Sequence, residues 1–141
     1  MSERWILHFD GGTVNGNPGT PRFGICIKDE STGEIIERSS GRKEGLPVEE
    51  NTNNVAEFLG LIMGLETIHG ANTPIDHLTV IGDSMLIIKQ VTRQWKVKAP
   101  HLQKYFERVI YLLSIMNVGH VEFKHTLRAG NSEADSLSRL G

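Results

Sequence analysis

A chain of 141 residues can bury one hydrophobic core without help from disulfides or a structural metal, so a single domain over residues 1–141 is expected. With 38% hydrophobic and 23% charged residues, 15 Gly and 5 Pro, the composition excludes a disordered or low-complexity chain. Lys and Arg number 15 against 17 Asp and Glu, a net charge of -2, which excludes a protein that holds nucleic acid by general electrostatics alone. Any nucleic-acid contact must be local, or assisted by metal ions.

In chain order, Arg4 to Asp10 is short, apolar and rich in strand formers, and Gly11-Gly12 with the Gly/Asn/Pro stretch to Pro21 is expected to end it. The Met1-Ser2-Glu3-Arg4 start carries no secretory pattern and no run approaches the roughly 18 apolar residues of a membrane span, so a soluble, cytoplasmic protein is expected. Phe23–Lys28 and Glu34–Ser40 read as strands joined by the turn-forming Asp29–Gly33, which makes the first third an antiparallel meander. Cys26, the single cysteine, lies in the apolar run Phe23–Ile27 and is expected to be a small buried hydrophobe.

From Val55 the apolar spacing becomes helical, through Phe58, Leu61, Ile62, Leu65 and Ile68 to Gly70. His77–Gly82 reads as a buried strand running into Asp83-Ser84, Leu86–Val91 as a helix, and Leu102–Met116 as a longer amphipathic helix. Val118–Lys124 is the last strand and Asn131–Leu140 the closing helix. The order βββαβααβα describes an α/β domain: a mixed sheet with helices on its faces.

Four acids stand where these elements could bring them together: Asp10 ending a strand, Glu57 in the first turn of a helix, Asp83 ending a later strand and Asp135 in the last helix. Each has a structural account by itself. Asp10 could begin a turn, Asn54 with Glu57 is close to a capping box, Asp83-Ser84 could cap a helix, and Asp135 could be solvated. Together they weigh differently, because strand ends on one side of an α/β sheet are where ligands bind. Hard oxygen donors, with no Cys/His cluster of suitable spacing, point to Mg²⁺ or Mn²⁺ rather than zinc. Bare carboxylates so clustered would repel one another.

Asp10-Gly11-Gly12 with Asn17-Pro18-Gly19, then Thr52-Asn53-Asn54-Val55-Ala56-Glu57, then Ile81-Gly82-Asp83-Ser84, and finally His125 with Asn131–Asp135 follow one another in an order that resembles a type 1 ribonuclease H. The resemblance covers essentially the whole chain. It implies a five-stranded sheet ordered 3-2-1-4-5 and an endonuclease that hydrolyses the RNA strand of RNA/DNA hybrids with two metal ions, leaving 5′-phosphate and 3′-hydroxyl ends. Asp10 would bridge both ions, Glu57 and Asp83 would complete one, and Asp135 the other. By the same resemblance Asn17, Asn53 and Asn54 would read the 2′-hydroxyl, which an amide suits because it both donates and accepts. Thr52 would bind a DNA phosphate, Ser84 and Asn131 would contact substrate, and His125 would assist proton transfer or product release from a mobile loop.

The chain departs from the family between Trp95 and Pro100, where Lys96-Val97-Lys98-Ala99 leaves no room for the long basic handle of some members, and a short form without an N-terminal hybrid-binding domain is expected. Arg93, Lys96, Lys98 and Lys104, with Trp95, form a modest basic stretch that could track the DNA strand or could be a solvated helix face. A monomer without obligate protein partner is expected. Three alternatives stay open on the residues: a DNA-cutting nuclease of the same fold, a catalytically dead binding module, and a small α/β ligand-binding domain whose acids are caps and turns.

Overall fold

In a computed structural model of the chain, residues 3–14, 16 and 18–140 are described, Arg128 and Ala129 by their backbone alone. Three strands open the chain: β1 (Arg4–Val14), β2 (Thr20–Asp29) and β3 (Ile35–Arg42). They are followed by α1 (Asn53–Gly70), β4 (Ile75–Gly82), α2 (Met85–Val91), α3 (Pro100–Ile115), β5 (Val118–His125) and α4 (Ser132–Ser138). The sheet runs β3-β2-β1-β4-β5, with β1 antiparallel to β2, β2 antiparallel to β3, and β4 parallel to both β1 and β5. This is the expected order. No helix among the described residues is long and apolar enough to cross a membrane.

Strand alternation sorts the sheet into two unlike faces. Trp5, Leu7 and Phe9 of β1, Ile25 and Ile27 of β2, and Leu78 and Val80 of β4 point to the front, where they join Val55, Phe58, Leu61 and Leu65 of α1 and Val109 and Leu112 of α3 in one apolar cluster. Residues one step away, His8, Cys26 and Lys28, point to the back, where the seven-residue α4 lies across β1, β2 and β3. A Cβ on Gly24 would stand 2.4 Å from the backbone nitrogen of Ser138, so α4 rests directly on the sheet there.

The first strand runs on where Gly11-Gly12 were expected to stop it. Gly11, Gly12, Thr13 and Val14 continue the ladder opposite Phe23, Arg22, Pro21 and Thr20. Glycine does end a strand in many sequences, but here it admits close approach: a Cβ on Gly11 would lie 2.3 Å from the carbonyl of Ala56, so only glycine lets β1 pass beneath the first turn of α1.

Candidate active site

The parallel pairing of β1 with β4 ends with Phe9 opposite Gly82, so Asp10 and Asp83, each the next residue, stand side by side just past the last rung of that ladder, Asp10 within β1 and Asp83 beyond the end of β4. Thr52 begins α1, its hydroxyl accepting from the Val55 backbone nitrogen at 3.3 Å, and the helix descends over Gly11 with Glu57 in its second turn pointing at the same spot. One oxygen from each of Asp10, Glu57 and Asp83 lies within 4.8 Å of the others. Asp135 arrives from the back on α4 beside Asp10, its carboxylate paired with Arg139 at 3.1 Å, one helical turn on. Three of the four predicted carboxylates therefore meet, and Asp135 adjoins one of them, Asp10.

Their mutual presence is costly without a counter-charge. Burial foremost, then the neighbouring Asp135 carboxyl and the Asp83 charge, push the Asp10 carboxyl up to about 7. Asp10 Oδ1 and Asp83 Oδ2 are buried and find no hydrogen-bond partner among the described residues. A set of converging hard oxygens with buried lone pairs to spare is what a Mg²⁺-class cation requires.

The cluster forms the floor between two lobes of an open cleft. One lobe, about 400 Å³, is lined by Asp10, Gly12, Thr13, Arg22, Asp135 and Arg139. The other, about 340 Å³, is lined by Asn53, Asn54, Glu57, Asp83, Ser84 and His125 among others. Asn53 is exposed and accepts from the Thr13 hydroxyl at 3.2 Å; Asn54 is half-buried and also borders a separate, largely apolar groove of about 540 Å³ between α2 and α3. Trp95, 48% exposed, lines that groove with Leu86, Lys96, Lys98 and Leu102.

Several expected roles are redrawn. Asn54 and Glu57 make no capping box, because the cap is Thr52; with its hydroxyl spent on the helix, Thr52 lines neither lobe of the cleft. Ser84 lines the cleft but also caps α2, accepting from Ile87 N at 3.3 Å. Asn131 does not face substrate: it is 1% exposed, donates to the Phe9 carbonyl at 2.7 Å and pairs with His8 Nδ1 at 3.0 Å. His125 belongs to the last rung of β5 opposite Gly82 rather than to a loop, its Nε2 3.3 Å from the Asp83 carbonyl. Lys104 leaves the basic stretch to pair with the buried Glu50 at 2.8 Å. Asn17 lies outside the described residues.

The sequence reading missed a polar network behind the site. Glu133, two residues before Asp135, takes Arg38 on one carboxylate oxygen and Lys28 and the Cys26 thiol on the other. Cys26 is fully buried as expected, but it is a donor as well as a hydrophobe; burial and the Glu133 carboxylate push its thiol up to about 11, far from a reactive thiolate. Arg22 and Arg139 at the rim of the first lobe were also missed. The alternation Gly24, Cys26, Lys28 on one face of β2 was the signal available.

A five-stranded sheet of this order, with carboxylates gathered where the β1–β4 ladder ends, defines the ribonuclease H-like class. Residues 8–141 match the model of the family described as reverse transcriptase-like. The chain is 32% identical to ribonuclease HI of Halobacterium salinarum over 131 residues, 93% of this chain and 60% of that protein. It is 30% identical to the bifunctional protein Rv2228c of Mycobacterium tuberculosis over 94% of this chain, and spans about a third (34%) of that protein's length. The solved structure of LC11-RNase H1 in complex with RNA/DNA hybrid superposes with a TM-score of 0.86 at 31% identity, covering 97% of this chain and 95% of that one. The chain belongs to the type 1 ribonuclease H family.

Proposed function

We propose that this protein is an endonuclease that hydrolyses the RNA strand of RNA/DNA hybrids with two divalent cations, Mg²⁺ or in its place Mn²⁺, leaving 5′-phosphate and 3′-hydroxyl ends. The observation that carries the reading is the convergence of Asp10, Glu57 and Asp83 within 4.8 Å, with Asp135 beside Asp10, on the floor of an open cleft. Family membership and a relative solved with a bound RNA/DNA hybrid support the choice of substrate.

Asp10, Glu57 and Asp83 would hold one cation, and Asp10 with Asp135 the other. Cations so held lower the pKa of an attacking water and neutralise the departing alkoxide. The protein's own part is to orient. Asp10 and Asp83 are fixed by the β1–β4 ladder and Glu57 by the apolar footing of α1, so the donors are preorganised before substrate arrives. His125, exposed beside Asp83, is placed to carry a proton to or from the cleft. Asn53 and Asn54 border the lobe next to Glu57, where an amide reads a 2′-hydroxyl, and the groove of Trp95, Lys96 and Lys98 adjoining Asn54 suits the sugar-phosphate of the other strand.

The test is a substrate panel in Mg²⁺: RNA/DNA hybrid, single-stranded RNA, duplex RNA and duplex DNA, each end-labelled, with product ends identified by phosphatase and ligase treatment. Cutting of the hybrid's RNA strand with 5′-phosphate ends is expected. Cutting of duplex DNA, or none of hybrid in Mg²⁺ and Mn²⁺, would overturn the reading.

A further inference from the structure

Three of the four carboxylates stand on elements rooted in the apolar core, whereas Asp135 stands on α4, whose seven residues are too few to hold a helix by propensity. Among its residues only Ala134 and Ser138 are buried, so little apolar contact fixes how the helix is turned. The strongest polar tie from α4 to the sheet is Glu133. Its Oε1 accepts from Arg38 Nε at 2.8 Å and Nη2 at 2.6 Å, and its Oε2 lies 3.3 Å from Lys28 Nζ and 3.4 Å from Cys26 Sγ. Two strands, β2 and β3, thus supply donors to one carboxylate.

Residues two apart on a helix point about 200° apart, so a side chain gripped at 133 dictates the direction taken at 135. Rolling α4 about its axis would break the Glu133 contacts and swing Asp135 away from Asp10. The Asn131 tie to Phe9 O holds the start of the helix but lies before its first turn, and it fixes position rather than rotation.

We infer that Glu133, gripped by Arg38, is a positioning residue that aims Asp135 at Asp10 and so sets the affinity of the cation those two carboxylates share. This inference rests on the proposed metal centre. Loss of a group that hydrogen-bonds a metal ligand directly weakens metal binding by about 10- to 100-fold; Glu133 acts on Asp135 through the helix, so a loss at the lower end of that range is expected, at one of two ions only.

The experiment counts Mn²⁺ bound to the full chain by electron paramagnetic resonance, with no substrate present, for wild type, Asp10→Asn, Glu133→Gln, Arg38→Ala, Arg38→Lys and the Glu133→Gln/Arg38→Ala double variant. Thermal unfolding in EDTA is measured beside it. In Glu133→Gln and Arg38→Ala the weaker of two Mn²⁺ ions is expected to lose about tenfold in affinity while the tighter is kept. The double variant should be no weaker than Glu133→Gln, because both changes cut one link, and Arg38→Lys should recover part of the loss. Equal weakening of both ions together with a lowered unfolding temperature would overturn positioning in favour of a general folding role. So would two Mn²⁺ ions bound as in wild type. If wild type binds no Mn²⁺ that depends on Asp10, it is the metal centre itself that fails. Arg38→Lys, which keeps the charge on an exposed side chain, decides the matter if the other variants do not fold.

Discussion

The two faces of the sheet hold the same active site by opposite means. On the front, α1 and α3 close over Leu7, Phe9, Ile25 and Val80 with hardly a polar atom between them, and Asp10, Glu57 and Asp83 inherit their positions from that packing. On the back, α4 is held by an ion-pair cluster at Glu133, an amide at Asn131 and the Arg22 guanidinium on the Arg139 carbonyl at 2.6 Å. Apolar packing is non-directional and tolerates small errors, whereas a carboxylate gripped by a guanidinium fixes an angle and is screened by salt. The face built from the core should govern stability; the face built from charges should govern one ligand.

Substitution can pull the two apart. The largest effect is expected from Asp10→Asn, which should lower hybrid cleavage by on the order of a thousandfold or more, since Asp10 would serve both of the proposed cations, while leaving unfolding in EDTA no easier. Next comes Leu61→Ala on the front: deleting a fully buried side chain from α1 should cost about 2–5 kcal/mol in denaturant unfolding and lower activity only where the protein unfolds. Gly11→Ala should do both, because its Cβ has no place beneath the Ala56 carbonyl and must push α1 off β1, parting Asp10 from Glu57. A smaller effect, about 1 kcal/mol, is expected for Glu50→Gln, which weakens the links to Lys104 and Tyr105 at the edge of the front face.

The pH dependence supplies a further contrast. Asp10 is raised in the fold to about 7, so the metal-free native state binds its proton more tightly than the unfolded chain does. That contribution is fully present below the unfolded value near 3.8 and is lost as pH rises through about 7. In EDTA, wild type should therefore lose stability relative to Asp10→Asn between about pH 4 and 7 and run parallel to it above. A constant difference across that range would mean that the fold does not raise the Asp10 carboxyl.

Much of the front face was legible in the sequence, because it is periodic. The helical spacing Val55 to Ile68 and the short apolar runs ending in Asp10 and Asp83 report their own burial, and the element order limits the sheet to few topologies. Gly11-Gly12 misled because glycine marks both a turn and a close approach, and only the position of Ala56 tells which. The back face is written in long-range pairs with no period: Cys26, Lys28, Arg38 and Glu133 come together only once β2, β3 and α4 are stacked. Asn131 belongs to the same class. Its motif placed it near substrate, but an amide beside a strand carbonyl and the neutral His8, whose imidazole burial holds below its usual value, is satisfied inside.

On the proposed function, four carboxylates from both faces act as one divalent-cation centre that cuts RNA. This is tested most directly by following cleavage of one RNA/DNA hybrid in Mg²⁺ and in EDTA with wild type and with Asp10→Asn, Glu57→Gln, Asp83→Asn and Asp135→Asn, each shown to be folded. The expected result is cleavage by wild type in Mg²⁺ alone, abolished or nearly so in each variant. Cleavage that survives EDTA, or that survives undiminished in Asp10→Asn or Asp83→Asn, would contradict it.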